Sequence, residues 1–133
     1  MKFNGFSAVQ VRIARPTDKF EEIIDFYKNG LGLKEIEQFK GAEYTGVIFG
    51  LPDVTYQLEF TRHINGSPCP APTKDNLLVF YMTDKKEIDT ITKRLQKMGY
   101  TEAEPENEYW KEQGVTIEDP DGWRIVLMNR SYE

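Results

Sequence analysis

The feature that most constrains this chain is an internal repeat. Val47 to Phe60 (VIFGLPDVTYQLEF) aligns without a gap on Val115 to Met128 (VTIEDPDGWRIVLM), so that Val47, Phe49, Pro52 and Asp53 meet Val115, Ile117, Pro120 and Asp121. A repeat of about 65 residues is too long for a solenoid unit and points to two copies of one module. A chain of 133 residues has room for two such copies sharing one core.

The elements around the repeat run in the same order in both halves. Residues Phe6 to Ala14 alternate Val9, Val11 and Ile13 with Gln10 and Arg12, the period-2 pattern of a half-buried strand. Asp18 with Glu21 forms a capping-box start, Phe20, Ile23, Ile24 and Tyr27 share one helical face, and Asn29-Gly30 supplies the stop. The spacing predicts a helix from Lys19 to Asn29. Three strands follow, over Leu33 to Phe39, Tyr44 to Phe49 and Thr55 to Arg62.

The stretch Asn65 to Thr73 (NGSPCPAPT) has no hydrophobic period and reads as a linker, dividing the chain into modules 1–66 and 75–133 with residues 67–74 between them. Beyond it, Asn76 to Met82 reads as a strand, and Asp84 with Glu87 repeats the capping box. Ile88, Ile91, Leu95 and Met98 predict a second helix, Lys85 to Met98, closed by Gly99. A weak strand at Tyr100 to Ala103 and better ones at Gln113 to Glu118 and Trp123 to Met128 complete the module, with Asp119-Pro120-Asp121-Gly122 turning between the last two. The expected fold is α+β: two βαβββ modules forming a paired, barrel-like mixed sheet with the helices outside. A helix covers only one face of each sheet, so the two free faces are expected to enclose a cavity.

Charge narrows the partners. With 22 acidic and 17 basic residues the net charge is -5, and the electrostatic footprint of a nucleic-acid binder is absent. The single cysteine, Cys69, cannot form an internal disulfide, and the sequence shows neither a signal peptide nor an apolar run long enough to span a bilayer. The expected setting is the cytoplasm, without membrane contact.

Phe26-Tyr27 followed by Gly30-Leu31-Gly32-Leu33, together with Glu118-Asp119-Pro120-Asp121-Gly122 before the final strand, resembles the vicinal oxygen chelate superfamily. That superfamily groups glyoxalase I, bleomycin-resistance proteins and extradiol dioxygenases. The matching residues belong to the fold: the aromatics pack a helix on its sheet, the glycines permit a tight exit, and DPDG makes a hairpin turn. The resemblance therefore implies architecture, a small-molecule cavity and homodimeric pairing more directly than it implies an activity.

The superfamily's enzymes hold a divalent metal through His or Glu side chains from four strands. Carried over one at a time, those positions fall on Gln10, Glu59, Asn76 and Val126. Only Glu59 is a strong ligand, so the resemblance implies neither a metal site nor a cofactor here. The gapless repeat pairs Leu58 rather than Glu59 with Val126, and a one-residue slip in the hairpin would reconcile the two.

On parity, Gln10, Arg12, Gln57 and Glu59 point away from the helix and into the expected cavity, where Arg12 and Glu59 either orient a polar ligand or satisfy one another. Asn76 joins them from the second module, with Phe80 and Trp110 as aromatic groups on another wall, and Tyr109 beside Trp110. His63 reads as a surface-loop histidine, Cys69 as an ordinary thiol, and Glu102, Glu104, Glu106 and Glu108 as a solvated loop. The function these readings favour is metal-free binding or sequestration of a small organic ligand. The alternatives are a lyase, isomerase or dioxygenase with a reduced metal site around Glu59, a metal-free catalyst using Glu59 as base with Arg12 stabilising an oxyanion, and a protein-interaction module.

Overall fold

The computed structural model describes residues 8–50 and 55–130. Phe6 and the turn residues Pro52 and Asp53 lie outside that range. The chain folds as α+β with two mixed sheets, as expected. The first sheet has the order β1-β4-β3-β2, built from β1 (Val11–Pro16), β2 (Lys34–Lys40), β3 (Tyr44–Gly50) and β4 (Tyr56–His63). The second has the order β5-β7-β6, built from β5 (Leu77–Met82), β6 (Gly114–Glu118) and β7 (Arg124–Asn129). Each module begins with a strand running parallel to its last strand: β1 on β4, and β5 on β7.

The register contains the one-residue slip that reconciles the gapless repeat with the superfamily positions. Ile48 lies opposite Glu59 in the first module, and Thr116 lies opposite Val126 in the second. Glu59 and Val126 are therefore the equivalent positions, and the first module's hairpin is one residue longer.

Helix α1 (Phe20–Ile24) differs from its expected extent, because its second half unwinds into a π-helical turn, Asp25–Gly30. The wider turn is closed by Leu31 N–H donating to Phe26 C=O at 2.8 Å, and it buries Phe26 and Tyr27 completely. Asp18 does not cap the helix. Its carboxylate accepts from Ser67 N–H, and the Thr17 hydroxyl accepts from Lys19 N–H at 2.9 Å instead. Helix α2 (Lys85–Lys97) starts as expected, with the Asp84 carboxylate accepting from Lys86 N–H at 2.9 Å.

Each helix lies on its own sheet, and the two also touch. Gly30 sits so close to α2 that a β-carbon there would lie 2.4 Å from Leu95 Cδ2, and Arg94 Nε donates to Gly30 C=O at 2.7 Å. One core results, shared by Phe20, Ile23, Phe26 and Tyr27 of the first helix, Ile88, Ile91 and Leu95 of α2, and apolar residues of both sheets.

The strand at Tyr100 to Ala103 is reduced to a single bridge, Glu102 against Ile117, because Pro105 cannot donate to a ladder and alternate glutamates follow. The sheets also do not close into a barrel within the chain. A short helix α3 (Tyr109–Glu112) and the segment before it lie on the second sheet's free face: Glu104 C=O accepts from Arg124 Nη1 at 2.9 Å, and a β-carbon on Gly114 would meet Trp110 O at 2.3 Å. Val126, Met128 and Thr116 are buried there. His63, expected in a loop, ends β4 and stacks edge-on against Tyr44.

Candidate functional site

The first sheet's free face carries the polar side chains expected of it. Arg12 lies beside Gln57 in the parallel pairing of β1 with β4, and both point the same way as Glu59 and Ile48. Arg12 Nε and Nη2 donate to Gln57 Oε1 at 3.1 and 2.9 Å, and Arg12 Nη1 donates to Glu59 Oε1 at 3.1 Å. The pair is partly open to solvent. Arg12 is 44% exposed and Glu59 16%, because Arg12 lies on an edge strand while Glu59 lies inside the sheet.

Next to the cluster, a hollow of about 250 Å³ is lined by Gln10, Gln57, Ile36 and Gly50 among others. Ile36 reaches it across Gly50, where a β-carbon would lie 2.4 Å from Ile36 Cδ1. The bulge between Glu35 and Glu37 frees Ile36 from the ladder. The site is an open shelf: amides and a guanidinium–carboxylate pair at one end, an exposed branched aliphatic side chain at the other.

The second module contributes less than expected. Phe80 is paired with Leu127 and packs against the shared core, on the opposite side of its sheet from Val126. The alternation along β5 places every second residue there, so Phe80 does not form a wall with Arg12. Asn76 precedes β5, and its Oδ1 accepts from the Thr73 hydroxyl at 2.6 Å. Trp110 lies in α3 over the second sheet, stacked edge-on with Tyr109. Of the seven expected binding residues, the fold brings together Gln10, Arg12, Gln57 and Glu59.

A divalent metal of the kind the superfamily's enzymes hold does not fit these residues. Val126 is an aliphatic side chain with no exposure, Asn76 already engages Thr73, and Glu59 is paired with Arg12. Among the described residues no group of three or more His, Cys, Asp or Glu is placed to hold an ion.

A second polar centre escaped sequence reasoning. The fully buried Asp119 carboxylate, the first aspartate of the DPDG turn, receives Tyr27 OH at 2.7 Å and Arg15 Nη2 on Oδ2. Its Oδ1 accepts Asp121 N–H at 2.9 Å and Trp123 N–H at 3.0 Å. Thr17 OH donates to Asp121 Oδ2 at 2.6 Å, and Lys19 Nζ to Pro120 C=O at 2.9 Å. The Arg15 guanidinium lies between the Phe60 and Trp123 rings, 4.8 and 4.7 Å from their centroids. The turn of one module is thus clasped to the β1–α1 connection of the other. Burial, and then the neighbouring Asp119 charge, push the Tyr27 phenol well above its ordinary range. The available signal was Arg15-Pro16-Thr17, a cation and a hydroxyl at a strand end in a chain with an acidic turn to receive them.

Comparisons with known proteins follow this geometry. The YycE-like N-terminal domain family matches residues 11–61, and the YycE-like C-terminal domain family matches residues 75–129. Uncharacterized protein YycE of Bacillus subtilis (strain 168) is 55% identical over 129 residues, covering 96% of this chain and 93% of that protein. A crystal structure of a Bacillus subtilis YycE protein of unknown function, described as a candidate glyoxalase/fosfomycin resistance protein, superposes with a TM-score of 0.93 at 53% identity, covering 100% of this chain and 98% of that one. TnmS3, an antibiotic binding protein from Streptomyces sp. CB03234, shares the fold at 23% identity and a TM-score of 0.67, over 97% of this chain and 100% of its own.

Proposed function

Because this chain belongs to the YycE-like family within the vicinal oxygen chelate superfamily, we propose that it binds or sequesters a small organic molecule without a resident metal. The observation that carries the reading is the Arg12–Gln57–Glu59 cluster beside the Gln10–Ile36 hollow. A guanidinium and two amides offer directional hydrogen bonds while Ile36 offers apolar area, the combination that orients a small polar-headed molecule. The superfamily's metal positions supply one carboxylate, already engaged by Arg12. That one fold-mate is named an antibiotic binding protein agrees with a sequestering role.

An open shelf binds weakly unless a second surface covers it. Val11 and Ile13 on β1, and Val9 just before it, are 49%, 49% and 84% exposed, an apolar row along an edge strand. This row, on the opposite face of β1 from Arg12, supports edge-to-edge pairing of two copies along β1, which would border the shelf with a second strand. We place the protein in the cytoplasm, acting on a small molecule and not on nucleic acid or a membrane.

The test is a thermal-shift and calorimetric screen of a small-organic library with a metal chelator present throughout. Saturable stabilisation that is indifferent to the chelator supports the reading. Ligand binding or turnover that appears only after a divalent metal is added back would overturn it.

A further inference from the structure

A separate cavity of about 220 Å³ lies at the seam between the modules, reached from β1 and β4 on one side and the starts of β5 and β7 on the other. Of the shelf cluster only Glu59 touches its rim. Its walls include Leu58, Phe60, Leu78 and Trp123, and its polar groups include Arg15 and Asn76.

Arg15 is the unusual member. Its Nε is buried and has no hydrogen-bond partner. Asp119 cannot supply one, because both carboxylate oxygens already accept two hydrogen bonds each, the full capacity of a carboxylate. A buried donor left unmatched is costly, and an acceptor brought by a ligand would remove that cost. The charges around the seam are meanwhile compensated in pairs: Arg15 with Asp119, Arg124 with Glu118, and Arg12 with Glu59. An ionised ligand would enter a low-dielectric space with no uncompensated opposite charge to meet it. A neutral acceptor meets the unmatched donor without that penalty.

We propose that the inter-module seam is a second binding site, taking a neutral aromatic or branched molecule that carries a carbonyl acceptor. The carbonyl oxygen accepts from Arg15 Nε and the apolar body lies among Leu58, Leu78, Phe60 and Trp123. Because the guanidinium lies between rings contributed by the two modules, occupancy would be felt by both.

The experiment uses nitrogen-15-labelled wild-type protein and three probes of one shape: acetophenone, ethylbenzene without the carbonyl, and benzoate with a charge. The readouts are the Arg15 Nε–H resonance and the Trp123 indole N–H, which donates to Cys69 C=O at 2.8 Å. Acetophenone is expected to shift both saturably, with at least tenfold weaker binding of ethylbenzene and of benzoate. Leu78→Trp, which fills the cavity, should abolish the shifts. Equal affinity for acetophenone and ethylbenzene, preference for benzoate, or no saturable shift at either resonance would each overturn the proposal. These readouts come from wild type, so the outcome does not depend on any variant folding.

Discussion

Asp119 Oδ1 and Oδ2 hold four donors, and two of them, Arg15 and Tyr27, come from the other module. Removing the carboxylate strands a buried guanidinium, so Asp119→Ala should lose on the order of 3–5 kcal/mol of stability in denaturant melts. Tyr27 adds a pH dependence whose sign follows from its raised pKa. A phenol held above its unfolded value keeps its proton longer in the folded state, so its contribution is complete below pH about 10 and is lost as pH rises beyond that. Stability should therefore fall along an alkaline limb, and Tyr27→Phe should flatten it while costing about 1.5–3 kcal/mol at neutral pH, the range for a hydrogen bond to a charged group. A limb unchanged in Tyr27→Phe would assign the alkaline loss to other groups. Arg12 and Glu59 contrast with this centre. With Arg12 nearly half exposed, losing either partner should cost below about 1 kcal/mol, the range for surface pairs.

Among the elements, Gly30 and Gly114 mark the closest approaches. Gly30→Ala would drive a methyl into Leu95, which is wholly buried and cannot move aside, at a cost of about 1–3 kcal/mol. Gly114→Ala would meet the Trp110 backbone, so α3 should lift from the second sheet, and hydrogen exchange over residues 104–112 should rise while α2 stays protected. Strand parity, and the order of the elements outside residues 100–112, were legible in the sequence because apolar periodicity and the repeat encode them directly, whereas the hairpin slip followed only from setting the superfamily positions against the gapless repeat. The π-helical turn was not, since Phe20, Ile23, Ile24 and Tyr27 fit an ordinary α-helical face equally well. Nor was α3, whose residues Tyr109 to Glu112 are too few to carry a period. Of the candidate site, Gln10 just before β1, Arg12 on β1, and Gln57 and Glu59 on the adjacent β4 could be grouped by parity alone. Phe80 and Trp110 could not, because their placement depends on which face the 104–112 segment covers.

For the whole molecule, the repeat produces two sheets whose helices merge into one core, leaving one free face covered by its own chain and the other open with the polar shelf. Pairing of two copies along the β1 edge would cover the exposed Val11 and Ile13 side chains. Val11→Glu should then convert a dimer to a monomer in light scattering without unfolding it. The central claim is that the shelf binds a small organic ligand through Arg12 and Glu59. It is tested most directly by calorimetry on the double variant Arg12→Met with Glu59→Gln, using a compound that stabilises wild type in the presence of chelator. The expected result is a folded protein, within about 1 kcal/mol of wild type since Arg12 is nearly half exposed, that binds at least tenfold more weakly. Undiminished affinity in the folded double variant would contradict it.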